Sequence, residues 1–325
     1  MKLFQKWIWI NGKEYKTKDD WKRKFERLKK LNFHGVLISS HSVETIGSLA
    51  KQFELEFHIW FITLINNNLD LINKHPEWYQ VNKNGTPCIK KPPYVDYYKW
   101  LCPSNNEVML YLEQEIEYFC KSEADGIHLD YIRFPDVILP DALQTHYGIV
   151  QKKEFPKYDF CYCSVCLSKF KAQYDIDILK TKSRNDIQQW TQYRLETINN
   201  LISSIRKVTD NYGKKLSAAV FPTSKMSVKM VRQQWNKWNL DIYFPMIYHN
   251  FYNKSINWIE SITRNDINDV GDNSSIISGI YIPKIAPKEI NNAIQAVKNG
   301  KAHGISFFDD KSMTNAHWER LKKYH

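Results

Sequence analysis

The feature that most constrains the fold is a regular alternation of short apolar runs with longer segments of helical period. The short runs are rich in Ile, Val, Phe and Tyr, which favours β-strands. Eight strands are predicted: Lys6–Ile10, Gly35–Ser39, Phe57–Thr63, Gly126–Asp130, Leu216–Phe221, Ile242–Ile247, Ile276–Tyr281 and Gly304–Phe308. Such apolar runs are typical of parallel strands that are covered on both faces.

Each predicted strand is followed by a segment with the apolar spacing of a helix. Eight helices are predicted: Lys18–Leu31, Ser42–Gln52, Asn106–Ser122, Asp186–Thr209, Met226–Trp235, Ser255–Thr263, Pro287–Asn299 and Ser312–Lys323. Eight βα units in 325 residues favour an α/β fold of the (β/α)8 TIM-barrel type over two open sheets. No Pro/Gly/Ser-rich linker divides the chain, so residues 1–325 are interpreted as one barrel domain.

Two predicted connections are too long for simple turns. Leu64–Asn105 follows the third strand, and Tyr131–Asn185 follows the fourth. In a barrel both lie at the C-terminal face, where active sites are built. Loops of this length are usually functional or disordered, and their Trp, Tyr, Pro and Cys content favours ordered, functional loops.

The composition excludes several classes of protein. Hydrophobic residues make up 43% and charged residues 25% of the chain, as in a globular protein. No apolar run approaches the roughly 20 residues of a membrane-spanning helix. The first residues, MKLFQKWIWING, contain neither the apolar core nor the cleavage site of a signal peptide. We expect a cytoplasmic protein if this N-terminus is native, and an extracellular or periplasmic one if a leader was removed.

The formal net charge is +11, from 46 Lys and Arg against 35 Asp and Glu. A basic protein can attract nucleic acids or other anionic polymers. Because many lysines fall in helix-like stretches and no nucleic-acid motif is found, nucleic-acid binding is the less favoured interpretation. The charge instead suggests an anionic glycan as substrate and a cluster of Lys and Arg near the cleft, with Arg133 among them.

Several short motifs occur in order along the chain. They include HPEW at His75–Trp78, WLCP at Trp100–Pro103, DGIHLDYIRFP at Asp125–Pro135 and FPMIY at Phe244–Tyr248. Over residues 2–310 this set resembles glycosyl-hydrolase-like family 10, a group of (β/α)8 glycoside hydrolases. The resemblance implies hydrolysis of O-glycosyl bonds in bacterial or extracellular polysaccharides. We expect no cofactor for catalysis.

Asp130 is the first candidate for catalysis. It ends the fourth predicted strand, where a barrel presents catalytic groups. Its carboxylate could act as nucleophile, as general base or as the group that orients a substrate acetamido. The alternative is a structural Asp that pairs with Arg133 or caps a loop. Relatives active on peptidoglycan carry a second acidic residue after this Asp, whereas this chain has Tyr131.

Glycoside hydrolysis normally needs two carboxyl groups. The acids within reach of Asp130 are Asp136, in the same motif, and Asp309 and Asp310 at the end of the eighth strand. Asp136 and Asp310 are therefore the other catalytic candidates, and one of the two strand-eight acids is expected to cap the final helix. A substrate-assisted mechanism with a single carboxylate remains an alternative.

Polar and aromatic residues near the strand ends are predicted to bind the sugar, because aromatic faces stack on sugar rings and polar tips bond hydroxyl groups. The candidates are Trp60, Asn66, His128, Tyr131, Arg133, Tyr248, His249 and Asn250. His128 shares a strand face with Asp130. Its alternative role is that of a hydrogen-bonded core histidine.

Three cysteines are clustered at Cys161, Cys163 and Cys166. They could supply three ligands of a structural zinc site, with the fourth from Cys102, Cys88 or His146. A disulfide with one free thiol, or simply buried thiols, are the alternatives.

Two further functions compete with a glycoside hydrolase. A non-catalytic carbohydrate-binding barrel would keep the aromatic residues but lack a second usable acid. A basic nucleic-acid-binding protein would show salt-dependent binding of DNA or RNA.

Overall fold

A computed structural model describes residues 3–39, 43–271 and 274–323. Its eight strands are all parallel and pair in chain order, and β1 pairs with β8 to close the barrel. They are β1 (Gln5–Asn11), β2 (Gly35–Ser39), β3 (Glu56–Ile62), β4 (Gly126–Asp130), β5 (Lys215–Val220), β6 (Ile242–Pro245), β7 (Ser275–Tyr281) and β8 (Gly304–Phe308). The prediction of a (β/α)8 barrel is confirmed.

The described α-helices surround this barrel. They are α1 (Lys18–Lys30), α2 (Val43–Gln52), α3 (Leu69–Lys74), α4 (Asn106–Cys120), α5 (Asp141–His146), α6 (Ser164–Tyr174), α7 (Arg184–Asn211), α8 (Ser224–Val231), α9 (Asn257–Val270), α10 (Ile290–Asn299) and α11 (Asn315–Lys322). Within the described ranges, no helix is both long and apolar enough to cross a membrane.

The predicted helices differ from these mainly at their ends. The predicted start of the second, Ser42, lies outside the described residues. The fifth, predicted to Trp235, ends as α8 at Val231 because Arg232 adopts a left-handed φ of 52°. The two long connections contain α3, α5 and α6. The short helices α3 and α5 were not predicted, whereas α6 includes the helix-like segment Leu167–Tyr174 that the sequence predicts after the clustered cysteines.

The barrel has an inner and an outer apolar layer, which follow the two-residue period of the strands. On β1, Trp7 and Trp9 belong to the interior cluster, whereas Ile8 and Ile10 belong to the larger core beneath the helices. Gly35 makes room for this filling, since a Cβ there would lie 2.5 Å from the Trp7 ring. The interior is therefore packed with side chains, and a ligand must bind at one end.

The two long connections are bound to each other at the C-terminal end of the barrel. We call residues 63–105 the β3 loop and residues 131–183 the β4 loop. The Tyr94 hydroxyl donates to the Asp136 carbonyl (2.8 Å), and the Tyr162 amide donates to the Val81 carbonyl (2.7 Å). The sequence prediction that these loops are ordered agrees with this docking.

Candidate active site

A cavity of about 310 Å³ lies at the carboxyl ends of the strands. Its walls come from the β3 and β4 loops and from residues at or just beyond the ends of β5 to β8. The described lining residues are Tyr94, Tyr97, Tyr98, Asp130, Tyr131, Arg133, Asp136, Leu139, Pro140, Leu143, Tyr147, Phe221, Pro222, Met246, Tyr248, Phe251, Tyr252, Tyr281 and Phe308. A concave, largely aromatic site with a few charged groups is typical of small-molecule and sugar sites.

Asp130 is the last residue of β4, and its carboxyl group is held in place by two donors. The Trp60 indole N–H donates to Oδ2 (2.9 Å), and the Tyr131 backbone N–H donates to Oδ1 (2.7 Å). Burial raises the pKa of the Asp130 carboxyl above its ordinary value, although these hydrogen bonds and Arg133 oppose the shift. The cavity therefore contains a fixed carboxyl group that keeps its proton to a higher pH than a free Asp.

Asp136 is the second carboxylate of the lining, and it forms a buried ion pair. The Arg133 guanidinium lies 3.0 Å from Asp136 Oδ2 and also donates to the Phe134 carbonyl (2.9 Å). Because the pair is shielded from water, Arg133 supplies the counter-charge that an isolated buried carboxylate would lack. The two acids of the cavity thus have different surroundings: Asp136 has a cationic partner at contact distance, and Asp130 has only neutral donors there.

Aromatic rings hold Arg133 on several sides. Its guanidinium lies 5.1 Å from the ring centre of Trp100, 5.4 Å from that of Tyr131 and 5.0 Å from that of Phe221. Contacts of this length are cation–π interactions, which hold the charged group in one orientation. Arg133 is therefore placed by both loops, since Trp100 belongs to the β3 loop and Tyr131 to the β4 loop.

Tyrosines make up the largest part of the described lining. Tyr248 contacts Tyr281 and Phe308 with ring centres 5.3 and 5.9 Å apart. Burial, with the neighbouring Asp130 carboxyl, raises the pKa of Tyr248 well above its ordinary value, so its hydroxyl keeps its proton. Such a wall offers flat apolar faces together with hydroxyl donors, the combination that binds sugar rings.

Of the predicted binding residues, Tyr131, Arg133 and Tyr248 line the cavity, and the others do not. Trp60 is outside the described lining, and its indole N–H donates a hydrogen bond that positions the Asp130 carboxyl group. His128 is fully buried inside the barrel, where its Nδ1 bonds Ser217 (2.9 Å) and its ring packs 4.6 Å from that of Trp9. This position agrees with the alternative interpretation of His128 as a hydrogen-bonded core histidine.

Asn66, His249 and Asn250 are also placed away from the described lining. The Asn66 side chain donates to the Tyr111 hydroxyl on α4 (3.2 Å), so it fastens the β3 loop to a helix. His249 is buried in the turn after β6, and Asn250 points toward the Lys284 carbonyl (3.4 Å). Strand-end position alone led to these three predictions, and local turns direct the side chains elsewhere.

The acids at the end of β8 are engaged outside the described lining. Asp310 forms an ion pair with Lys24 (2.5 Å) and accepts a hydrogen bond from the Tyr15 hydroxyl. Asp309 accepts hydrogen bonds from the amide and hydroxyl of Ser312, and so caps the turn that follows β8. The capping role expected for one of these acids belongs to Asp309, although the element it caps is a 3-10 turn before α11. The position of Asp310 does not fit its predicted catalytic role.

The expected cluster of Lys and Arg at the cleft is not found among the described lining residues. Arg133 is the one basic side chain there, and Asp136 pairs with it. Arg133 therefore lies at the cavity as expected, and the other basic residues of the chain are outside the described lining; the cluster expected at the cleft mouth stays a prediction.

Several lining tyrosines were missed by the sequence analysis, among them Tyr94, Tyr98, Tyr252 and Tyr281. The available signal was the density of tyrosine in the β3 loop, where Tyr94, Tyr97 and Tyr98 follow a Pro-Pro pair. Tyr281 ends β7 and could have been found by the strand-end rule that identified Asp130.

The clustered cysteines meet a fourth thiol in the structure. The Sγ atoms of Cys161, Cys163 and Cys166 lie within 4.8 Å of one another and of that of Cys102. Cys88 lies apart, with its thiol against the Trp100 backbone. Of the three predicted fourth ligands, Cys102 completes the set.

Comparisons with known proteins support the barrel fold. No family model and no curated protein matches the sequence. Among solved structures, the glycoside hydrolase domain of PgaB (BpsB) from Bordetella bronchiseptica superposes with a TM-score of 0.74 at 10% identity, over 98% of each chain. The catalytic domain of β-amylase from Paenibacillus polymyxa gives a TM-score of 0.64 at 11% identity, over 99% of this chain and 98% of that one.

A third similar structure is β-galactosidase from the psychrophilic Marinomonas ef1, with a TM-score of 0.68 at 7% identity, over 98% of this chain and 58% of that one. At such identities the likeness shows the barrel fold alone. Membership of glycosyl-hydrolase-like family 10 remains a prediction from the motifs.

Proposed function

We propose that this protein is a glycoside hydrolase that cleaves O-glycosyl bonds of a poly- or oligosaccharide, with Asp130 as an essential carboxyl group. The observation that carries the proposal is the position of Asp130. It ends β4 inside an aromatic cavity, with Asp136 in the same wall. Two carboxyl groups in one sugar-sized site are what glycoside hydrolysis requires.

The surroundings of the two acids support different roles. Asp130 has a raised pKa and neutral partners, which suits a group that donates a proton to the glycosidic oxygen as the bond to C1 breaks. Asp136, with Arg133 as counter-ion, suits the carboxylate that attacks C1 or takes a proton from the attacking water. If Asp136 attacks C1, Asp130 regains its proton from the water that then releases the sugar from Asp136. If Asp136 instead takes the proton of the attacking water, it gives that proton to solvent, and Asp130 is reprotonated from solvent.

The charge of the lining bears on the substrate. Among the described lining residues the ionisable acids and bases are Asp130, Asp136 and Arg133, so this part of the lining has no excess of cations to hold an acidic sugar. A neutral or amino sugar fits this lining better than the anionic glycan that the net charge of the chain suggests. The tyrosine faces favour ring stacking over charge pairing.

Two independent similarities agree with hydrolase chemistry. The ordered motifs resemble those of glycosyl-hydrolase-like family 10, whose members are associated with polysaccharide degradation. The similar solved structures include a glycoside hydrolase domain, a β-galactosidase and a β-amylase. Since one barrel fold hosts many activities, the proposal depends on the site and these similarities only support it.

A hydrolysis screen tests the proposal. The wild-type protein is incubated with amylose, chitin oligosaccharides, chitosan oligosaccharides and polygalacturonate, and new reducing ends are measured. We expect release from a neutral or amino-sugar glycan, and a loss of at least about 100-fold in Asp130→Asn. Wild-type turnover that survives this substitution would contradict the proposal.

A non-catalytic sugar-binding barrel is the second candidate. The observation that favours it is the ion pair of Asp136, which engages the second carboxylate with Arg133. Calorimetric binding of a screened glycan by wild type and Asp130→Asn alike, with no new reducing ends in either, would identify this function instead.

A further inference from the structure

Four buried thiols meet where the β3 loop contacts the β4 loop. Cys102 comes from the β3 loop, and Cys161, Cys163 and Cys166 come from the β4 loop. Cys102 Sγ lies 3.5 Å from the sulfurs of both Cys163 and Cys166. None of the four residues lines the cavity, so the cluster is a separate feature of the molecule.

The spacing of the sulfurs fits one tetrahedral metal ion. Sulfurs bound to Zn²⁺ at about 2.3 Å lie about 3.8 Å apart in a regular tetrahedron. A disulfide would instead bring two of them to about 2.05 Å. Cys102 is equally far from two other sulfurs, as expected for the corners of a tetrahedron and not for a preformed pair.

Positive groups lie near the four thiols. A tetrathiolate zinc centre carries a net charge of −2, which nearby positive groups help to offset. Arg194, which is also paired with Asp159, donates to the Phe160 carbonyl (2.8 Å), next to Cys161. The exposed Lys169 donates to the Ser104 carbonyl (2.7 Å), two residues after Cys102. Cys163 also immediately precedes α6, whose N-terminal dipole stabilises negative charge.

We propose that Cys102, Cys161, Cys163 and Cys166 bind one structural Zn²⁺ that fastens the β3 loop to the β4 loop. All four protein ligands are present, so the coordination is closed and the ion takes no part in hydrolysis. Its effect on the cavity is indirect. Cys102 lies two residues after Trp100, which packs against Arg133 and Tyr131 in the cavity wall.

Metal analysis of the full chain tests this assignment independently of any enzymatic activity. Protein produced with both zinc and iron in the medium is purified, and its metals are measured by mass spectrometry. We expect close to one zinc per chain. After removal of zinc by a chelator, added Co²⁺ should give the intense near-ultraviolet thiolate-to-cobalt absorption of a four-sulfur site.

Two single substitutions provide the matched comparison. Cys163→Ser removes one proposed ligand and should lose most of the zinc. Cys120→Ser changes another buried cysteine, on α4 and outside the cluster, and should keep it. The wild-type zinc content and cobalt spectrum decide the question even if Cys163→Ser does not fold.

Several results would overturn the proposal. They are wild-type protein that holds neither zinc nor cobalt, bound iron in place of zinc, disulfides among the four cysteines in the non-reduced protein, or equal zinc loss in Cys120→Ser and Cys163→Ser.

Discussion

The carboxyl ends of β4 and β8 both carry aspartates, yet only β4 presents one to the cavity among the described residues. Asp130 receives hydrogen bonds from Trp60 and a backbone amide and leaves its carboxyl group in the cavity wall. Asp310 forms an ion pair with Lys24 and accepts a hydrogen bond from the Tyr15 hydroxyl, and none of these three residues is in the described lining. A strand-end position in a barrel is therefore not enough to make an acid catalytic; its partners decide what it can do.

The comparison also separates two kinds of buried acid. An acid whose partners are neutral donors holds its proton more firmly and can give it to a substrate. An acid with a cation at contact distance is one partner of an ion pair. Asp130 belongs to the first kind, and Asp136 and Asp310 belong to the second. Of the two paired acids, Asp136 is the one in the described cavity lining, so it is also placed to take part in the reaction. The predictions below test this division.

The largest effect on stability is expected for Asp136→Asn, because it leaves the Arg133 guanidinium buried without its counter-charge. Removing one partner of such a pair costs about 3–5 kcal/mol in the free energy of unfolding. Urea unfolding measures this loss. The double variant Arg133→Met/Asp136→Leu removes both charges and should regain part of it. A cost below about 1 kcal/mol for Asp136→Asn would mean that the pair contributes little.

A smaller effect is expected for Asp310→Asn. In the wild type Lys24 donates to Oδ1 and Tyr15 to Oδ2, but the amide of Asn keeps only one acceptor oxygen. The variant therefore loses one accepted hydrogen bond, and the charge on Lys24 loses its counter-ion, at a cost of about 1–3 kcal/mol. Thermal unfolding at neutral pH measures the change. If Asp310→Asn were as stable as the wild type, the ion pair at the end of β8 would not be the structural link that the comparison requires.

The smallest effect is a pH dependence at Asp266, a fully buried acid on α9 outside the cavity. Burial raises the pKa of Asp266 well above its ordinary value, so the folded protein binds a proton that the unfolded chain releases near pH 4. Stability from this group is thus lost as the pH rises above about 4. We expect the free energy of unfolding of Asp266→Asn to rise relative to that of the wild type as the pH increases above about 4.

Urea unfolding of both proteins at several pH values checks this difference. If the free energies of unfolding of the two proteins changed in parallel with pH, the raised pKa of Asp266 would be contradicted. Hydrolysis by Asp266→Asn should match that of the wild type, since a raised pKa outside the cavity has no role in the reaction.

The fold was predictable because it depends on local patterns. Each strand is an apolar run, and the interior and outer layers follow from the alternation of Trp7 and Trp9 with Ile8 and Ile10. The position of Asp130 at the end of β4 was also predictable, because it directly follows a local apolar run. The two six-residue helices of the loops, α3 and α5, were missed because segments this short show too little periodicity to be recognised in the sequence.

The choice among the acids was not predictable, because it depends on residues distant in sequence. Tyr15 lies 295 residues before Asp310, and Lys24 lies 286 residues before it. Nothing near Asp310 in the chain indicates these partners. Likewise, Cys102 lies 61 residues before Cys163. Cys102, Cys88 and His146 are all possible fourth ligands from the sequence, and only the contact between the β3 and β4 loops shows that Cys102 lies beside the other three cysteines.

The most direct test of the account is the hydrolysis rate of Asp130→Asn beside that of Asp310→Asn, on one glycan cleaved by the wild type. Both substitutions exchange a carboxyl group for an amide at or just beyond a strand end, so the chemical change is the same and the two sites differ in position and partners. We predict a loss of at least about 100-fold for Asp130→Asn and a rate within about threefold of wild type for folded Asp310→Asn. Equal losses, or a loss confined to Asp310→Asn, would contradict the assignment of the reaction to the end of β4.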